Sequence, residues 1–263
     1  MDKIELYKVD TFTDTLFRGN PAAVCPLKKW LSDNLMQSIA SENNLSETAF
    51  FVIEGDEVLI RWFTPKLEIE LCGHATLASA HILFNEMLYK KKKIIFKTSF
   101  GEKIIVFKEN NYLSMDFPSL ESKECNIDLK LITNALSVRP SRFLSGLYGL
   151  AIFNTQEEIT KISPKFELLE KLPINGIIVT APGNYSDFVS RFFAPKLGIK
   201  EDPVTGSAHC LLIPYWSKRL KKVQMLAHQL SSRGGELFCA YNKGRVRIGG
   251  HAITFLKGAI ILS

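Results

Sequence analysis

Length, composition and charge are those of an ordinary globular protein. The 263 residues suffice to bury roughly three quarters of the unfolded surface, and 46% apolar with 23% charged residues is typical of such chains. No apolar run approaches the ~20 residues of a membrane helix, and the acidic N-terminus lacks the pattern of a secretory signal, so we expect a cytoplasmic protein without a membrane partner. The net charge of +6 comes largely from two Lys/Arg runs that follow predicted helices without interleaved aromatic residues, which argues against nucleic-acid binding.

The cysteines and histidines do not form the spacings of a metal site. The five cysteines are scattered and none belongs to a C-x-x-C pair, which favours reduced thiols over disulfides or zinc. The sequence also contains no P-loop and no G-x-G-x-x-G after a strand. We therefore expect neither a cofactor nor a metal, and structural roles for His81, His209, His228 and His251.

The first half of the chain is predicted to form short strands and two helices. One helix is expected over 32–42 with Ser32 as its N-cap, and another over 73–89 that is apolar on nearly all sides and hence largely buried. Strands are expected at 4–9, 48–53, 58–63, 94–97, 103–107 and 113–117. A polar break at 118–124 predicts two lobes, residues 1–117 and 125–263, with the last strand packing on the first lobe as a possible variant.

The second half repeats this plan. Arg61–Leu67 (RWFTPKL) corresponds to Arg191–Leu197 (RFFAPKL), and each leads to a small polar residue followed by Gly73 or Gly206. Strands are expected near 146–153, 176–180 and 188–194 and in the segment that ends at 262, with a buried helix over 206–218. Many short strands with one very apolar helix per lobe predict an α+β fold, in which each lobe is a curved, mostly antiparallel sheet wrapped around its helix.

Both predicted buried helices begin with a glycine beside a polar residue. The first turn of a helix has unpaired backbone N–H groups and a partial positive charge, and glycine allows a ligand to approach the backbone. Two such helix starts that face each other across a cleft between the lobes would hold a carboxylate or stabilise an enolate-like charge. The alternative is that Gly73 and Gly206 serve only for packing.

Four motifs, in this order, resemble the phenazine-biosynthesis isomerase (PhzF-like) family: Phe17–Val24 (FRGNPAAV), Ser41–Phe50 (SENNLSETAF), Cys72–Thr76 (CGHAT) and Glu201–Ala208 (EDPVTGSA). The resemblance extends from about residue 10 to about residue 258. It implies the diaminopimelate epimerase-like fold of two barrel-like lobes, each around a central helix, a homodimer, and no cofactor or metal. It also implies proton transfer at a carbon of a small carboxylate-bearing substrate.

The resemblance assigns roles to particular residues. Glu47 would be the catalytic general acid/base, and substrate-binding roles fall to Gly73, His74, Asp202, Gly206 and Ser207. A C–H group is a poor acid, so its proton needs a positioned base and the carbanion needs stabilisation. We expect the apolar run after Glu47 to desolvate its carboxyl group and raise its pKa, and we expect His74 to pair with Asp202. A surface or capping role is the alternative for Glu47, for His74 and for Ser207.

Cys72 and Thr205 distinguish two mechanisms. Epimerases and racemases of the wider fold use two thiols, each just before the glycine that begins a lobe's helix, but here only Cys72 is a thiol. One-base catalysis by Glu47 therefore fits better, with Cys72 as a small buried residue. A Cys72 thiol-based racemase and a catalytically silent metabolite-binding protein stay as alternatives. The substrate cannot be read from the motifs, because specificity would lie in loops such as 154–164.

Overall fold

The computed structural model describes residues 2–262, which form two compact units. The first unit is the chain up to Asp116 together with the segment that begins at Gly249, and the second unit is Phe117–Ile248. The predicted second lobe, 125–263, thus includes a last strand that lies in the first unit, the variant that the prediction allowed. Within residues 2–262, no helix has the length and apolar character required to cross a membrane.

Seventeen strands and six α-helices are described along the chain. The elements before residue 120 are β1 (Asp2–Thr11), β2 (Asn20–Leu27), α1 (Asp33–Asn43), β3 (Thr48–Glu54), β4 (Glu57–Phe63), β5 (Glu68–Ile69), α2 (Gly73–Asn85), β6 (Lys93–Thr98), β7 (Lys103–Lys108) and β8 (Leu113–Pro118). The later elements are β9 (Lys123–Glu124), α3 (Leu129–Leu136), β10 (Arg142–Ser145), β11 (Gly149–Ile152), α4 (Gln156–Thr160), α5 (Phe166–Lys171), β12 (Ile177–Pro182), β13 (Phe188–Phe193), α6 (Gly206–Leu220), β14 (Gln224–Gln229), β15 (Gly235–Asn242), β16 (Arg245–Gly250) and β17 (Ala252–Leu262).

The two units share one strand-pairing pattern. In the first unit β1 and β2 are antiparallel, β2 and β3 parallel, β3 and β4 antiparallel, β4 and β6 parallel, and β6 and β7 antiparallel. In the second unit the same alternation runs through β10, β11, β12, β13, β14 and β15. Each unit also inserts its long buried helix, α2 or α6, into the parallel crossover that follows its fourth strand in this series. The prediction of an α+β fold with two pseudo-repeated, mostly antiparallel sheets around buried helices is confirmed.

An arginine in the repeated motif anchors the chain before each helix. Arg61 on β4 donates from Nε and Nη2 to the two carboxylate oxygens of Glu68, at 2.8 and 2.6 Å. Arg191 on β13 does the same to Glu201, at 2.8 and 3.1 Å. Because a forked guanidinium fixes a carboxylate in one orientation, each pair holds the segment between a strand and the start of α2 or α6.

Helix α2 forms the centre of the first unit. Every residue from His74 to Phe84 is buried, and the helix contacts β1, β2, β3, β7 and β17. A helix that is apolar on nearly all sides can be stable in water only when other elements surround it, as the sequence predicted. β17 completes this environment because it pairs along β1 from Asp2↔Leu262 to Thr11↔Ala252.

Helix α6 occupies the corresponding position in the second unit. Its Trp216 is fully buried, stacks on Phe188 of β13 with ring centroids 5.5 Å apart, and donates from Nε1 to Thr180 Oγ1 at 2.9 Å. A buried tryptophan N–H that stays without a partner lowers stability, and Thr180 on β12 supplies a partner for Trp216. These contacts fix α6 against the sheet and so fix the position of its first turn.

Two predictions for the second half of the chain are wrong in detail. The single strand expected near 146–153 is the hairpin β10–β11, because Gly146–Tyr148 forms a turn between two short paired segments. The expected loop 154–164 contains the one-turn helix α4, which a Thr155/Glu158 capping box begins. The T-x-x-E signature of that box was present in the sequence but is short enough to occur in loops as well.

Candidate functional site

Glu47 immediately precedes β3, and its side chain is buried. Its carbonyl oxygen accepts a hydrogen bond from Ala23 N at 3.1 Å, and Ala23 pairs in register with Thr48 in the parallel β2–β3 ladder. These contacts fix the backbone of Glu47 on the sheet. The side chain is only 10% exposed, so the alternative of a surface carboxylate is wrong.

The imidazole of His74 contacts both Glu47 and Cys72. Nε2 of His74 is 3.0 Å from Glu47 Oε2, and Nδ1 is 3.5 Å from Cys72 Sγ. Within residues 2–262, neither Nε2 of His74 nor Oε2 of Glu47 has a hydrogen-bond partner of good angular geometry, so their attraction is mainly Coulombic. The described contacts of the two ring nitrogens are with Cys72 and Glu47 of the first unit, and the expected pairing of His74 with Asp202 stays a prediction.

Burial and charge act in opposite directions on this pair. Burial raises the pKa of Glu47, but the positive charge of His74 outweighs it and holds that pKa below its ordinary value. Burial lowers the pKa of His74, but Cys72 and Glu47 together raise it well above its ordinary value. The expectation of a raised Glu47 pKa is therefore wrong, because the apolar surroundings of Glu47 come with a cationic neighbour. The pair is an ionised carboxylate beside an imidazolium.

We expect this ion pair to make stability depend on pH. Glu47 contributes above its unfolded-state pKa near 4.5 and loses the contribution as the pH falls through its lower folded-state pKa. His74 contributes below its unfolded-state pKa near 6.5 and loses the contribution as the pH rises through its raised folded-state pKa. The free energy of unfolding lost in His74→Gln should therefore be greatest between these two values, as urea titrations at a series of pH values would measure.

The control for that series is His228→Gln, which removes a half-exposed contact with Glu236 at 3.3 Å. Exposed ion pairs contribute little, so this change should alter stability only slightly at any pH. A destabilisation by His74→Gln that stays constant from acid to alkaline pH would contradict the charged pair.

In the second unit, Asp202 and Thr205 precede helix α6 and bind each other. Thr205 Oγ1 donates to Asp202 Oδ2 at 2.5 Å. The fully buried Gln229 on β14 joins them, because its Oε1 accepts from Thr205 N at 2.9 Å and its Nε2 donates to Asp202 O at 2.8 Å and to Thr205 Oγ1 at 3.1 Å. Gln229 thus satisfies the backbone at the start of α6 and fixes the position of Asp202.

Gln229 and Tyr148 are further candidate site residues, which the sequence pattern did not predict. Tyr148 lies 3.2 Å from Ser207 through their hydroxyl groups, and Ser207 is the second residue of α6. Gln229 did leave a signal in the sequence: it occupies the inward position of β14 that follows Met225 and Ala227 in the alternating pattern. A polar residue on the buried face of a strand needs a hydrogen-bond partner, and here those partners are functional candidates.

Gln229→Leu is expected to destabilise the protein by about 2–4 kcal/mol, because Thr205 N and Asp202 O would lose their partner and Leu cannot replace it. Gln224→Leu, on the exposed end of the same strand, is the matched control and should change stability by less than about 0.5 kcal/mol. Urea denaturation of both variants measures the difference. Equal stabilities would show that Gln229 does not organise the start of α6.

The two glycines at the helix starts are not required for packing within their units. A Cβ atom at Gly206 would meet no heavy atom within 4 Å, and one at Gly73 would come only within 3.8 Å of Met115 Cε. Neither preceding residue, Cys72 or Thr205, caps its helix with its side chain. First-turn N–H groups beside open space are suited to bind an anion, and a side chain at either glycine would occupy that space.

Glu47, Cys72 and His74 are the described residues that could together hold a metal ion, since their ligand atoms lie within 4.8 Å of one another. A single ion binds one nitrogen of an imidazole. In His74, however, Nδ1 faces Cys72 and Nε2 faces Glu47. This geometry fits a chain of polar contacts through the ring better than chelation.

Proteins of known sequence or structure are similar to this chain over nearly its whole length. A family model described as phenazine biosynthesis-like protein (PhzC-PhzF) matches residues 9–258. An uncharacterized isomerase of Pseudomonas aeruginosa is 47% identical over 262 residues, which cover 99% of this chain and 100% of that protein. A crystal structure of a PhzF-family phenazine biosynthesis protein from Enterococcus faecalis matches with 46% identity, a TM-score of 0.97, and coverage of 99% and 100% of the two chains. A predicted epimerase of P. aeruginosa shares the fold at 20% identity, with a TM-score of 0.76 over 99% and 100% of the chains.

Proposed function

This chain belongs to the phenazine biosynthesis-like (PhzC-PhzF) family, and on that premise we propose that it is a cofactor-independent isomerase or epimerase that moves a proton at a carbon of a small carboxylate-bearing metabolite. Three similar curated proteins are named uncharacterized isomerases. The observation that carries the proposal is the buried carboxylate of Glu47 beside the His74 imidazolium, next to the first turn of α2.

Glu47 is the general base and acid of this proposal. Because its pKa is lowered, the carboxyl group is ionised at neutral pH and ready to accept a proton. A carboxylate of low pKa is also a weak base, so the C–H proton can leave only if the negative charge that develops on the substrate is stabilised. That stabilisation has to come from groups arranged before the reaction starts.

Two groups in the first unit supply this stabilisation. The imidazolium of His74 provides a positive charge beside the base, and the first turn of α2 provides backbone N–H groups at Gly73, where the space for a ligand is open. A substrate carboxylate bound there would become enolate-like as the adjacent carbon loses its proton. Asp202, Gly206 and Ser207 are proposed to contribute further substrate contacts at the start of α6.

A thiol base is less well supported. Cys72 is buried, and burial raises the pKa of its thiol, as does the negative charge of Glu47. A neutral, enclosed thiol is a poor base for a C–H proton. Glu47 is equally buried, but its pKa is lowered, so it carries the negative charge that a base requires.

The proposal is tested by incubating a panel of amino acids, hydroxy acids and unsaturated ring acids with the protein in D₂O and reading the mass of each compound. We expect one member of the panel to gain a single deuteron, because a proton removed from carbon exchanges with solvent before it returns. A compound that raises the melting temperature but gains no deuterium would instead indicate a metabolite-binding protein without turnover.

A further inference from the structure

The thiol of Cys72 contacts the Nδ1 nitrogen of the His74 ring and also lies within 4.8 Å of a carboxylate oxygen of Glu47. Its Sγ lies 3.5 Å from Nδ1, and the thiol does not cap α2, although Cys72 occupies the cap position. The backbone of Cys72 is fixed, because its carbonyl oxygen accepts from Thr76 N at 3.1 Å and from Thr76 Oγ1 at 2.6 Å. The backbone from which the thiol reaches the ring is therefore fixed.

The second unit uses the corresponding position in the same way. Thr205 precedes Gly206 as Cys72 precedes Gly73, and its side chain likewise leaves the helix uncapped. Instead it donates a hydrogen bond to Asp202. The chemistry matches in each case: a hydroxyl group suits an acceptor carboxylate, and a sulfur atom suits a donor N–H of an imidazolium. This match accounts for a thiol in one unit and a hydroxyl in the other.

We propose that Cys72 is a positioning residue that holds the His74 ring through Nδ1 and thereby keeps Nε2 directed at Glu47. This inference rests on the proposed role of Glu47. An imidazole held at only one nitrogen can rotate by half a turn and present a carbon atom to the carboxylate. The contact with Cys72 prevents that rotation and favours the protonated ring, because a hydrogen bond to the charged form stabilises that form.

The surroundings of the Cys72 sulfur favour a positioning role over a role as the catalytic base. In a thiol-based racemase the sulfur would have to reach the substrate carbon as a thiolate. Here the sulfur is enclosed, lies 3.5 Å from Nδ1 of His74, and is within 4.8 Å of a carboxylate oxygen of Glu47, so it faces the two polar groups of the cluster. In this proposal the neutral thiol positions the His74 ring, and the carboxylate of Glu47 moves the proton.

The test is the titration of the His74 ring in ¹⁵N-labelled protein by NMR, in the parent and in the variants Cys72→Ser and Cys72→Ala. Of the five histidine signals, the one that disappears in His74→Gln is assigned to His74. Cys72 and Glu47 are the titratable groups that act on His74. We expect the pKa of His74 to be lower in Cys72→Ala than in the parent. Cys72→Ser should give an intermediate pKa, because the serine oxygen can accept the hydrogen bond but lies closer to its own Cβ than the sulfur does.

Cys210→Ala is the matched control, because it removes an equally buried thiol that belongs to helix α6 of the second unit. It should leave the His74 titration unchanged. An identical His74 titration in Cys72→Ala and in the parent overturns the proposal. If Cys72→Ala does not fold, Cys72→Ser decides in its place by the same criterion. The NMR readout needs no substrate, so a failed search for a substrate cannot be mistaken for failure of this inference.

Discussion

Glu47→Gln is expected to lower kcat by at least about 10²-fold while the protein stays folded, because an amide has the shape of the carboxyl group but cannot accept the proton. His74 would lose its counter-charge in this variant. A buried imidazole can release its proton and become neutral, so the loss should not unfold the protein. Far-UV circular dichroism and steady-state kinetics with the substrate found by deuterium exchange measure both expectations.

Glu54→Gln provides the control for this variant. Glu54 ends the strand that Glu47 precedes, and it is exposed, so the substitution changes the same atoms without touching the site. Its kcat should equal that of the parent. A Glu47→Gln variant that also retains the parent kcat would remove Glu47 from the mechanism.

Gly19→Ala is expected to destabilise the protein by about 3 kcal/mol or more, the largest effect on stability that we predict for a single methyl group. Gly19 has a φ of +65°, and a Cβ atom there would lie 2.0 Å from Thr11 O and 2.8 Å from Thr13 Cγ2. The left-handed backbone alone costs about 1 kcal/mol for alanine. The clash with a backbone oxygen adds the cost of forcing β1 and β2 apart.

Gly55→Ala separates the two contributions. Gly55 has a similar φ of +60°, but a Cβ atom there meets nothing within 4 Å. It should therefore show only the backbone cost of about 1 kcal/mol. Urea denaturation of both variants gives the difference, and equal losses would mean that the loop before β2 moves to accept the extra atom.

The sequence was sufficient for the parts of the structure that depend on local pattern. The buried helices α2 and α6 follow from apolar residues on nearly all faces, and α1 begins as predicted after Ser32, whose hydroxyl accepts from Leu35 N. The repeat of RWFTPKL as RFFAPKL indicated two similar lobes, because only a duplicated structure explains a repeated motif that also repeats its helix.

The sequence was not sufficient for contacts between elements. Glu47 and His74 are separated by a hairpin, and their pairing depends on how the end before β3 meets the first turn of α2. For that reason the pKa of Glu47 was predicted in the wrong direction: the apolar run after it was visible, but the cation beside it was not. The contacts of Cys72 and Gln229 were hidden in the same way, since each depends on which side chain faces it across the fold.

Deuterium exchange most directly tests whether Glu47 moves the proton. The measurement compares three proteins, the parent, Glu47→Gln and Cys72→Ala, by the rate at which each transfers a solvent deuteron to the substrate. We predict exchange with the parent, a slower exchange with Cys72→Ala, and a loss of at least about 10²-fold with Glu47→Gln. Exchange by Glu47→Gln at the parent rate, together with none by Cys72→Ala, would contradict the carboxylate mechanism and assign the proton to the thiol.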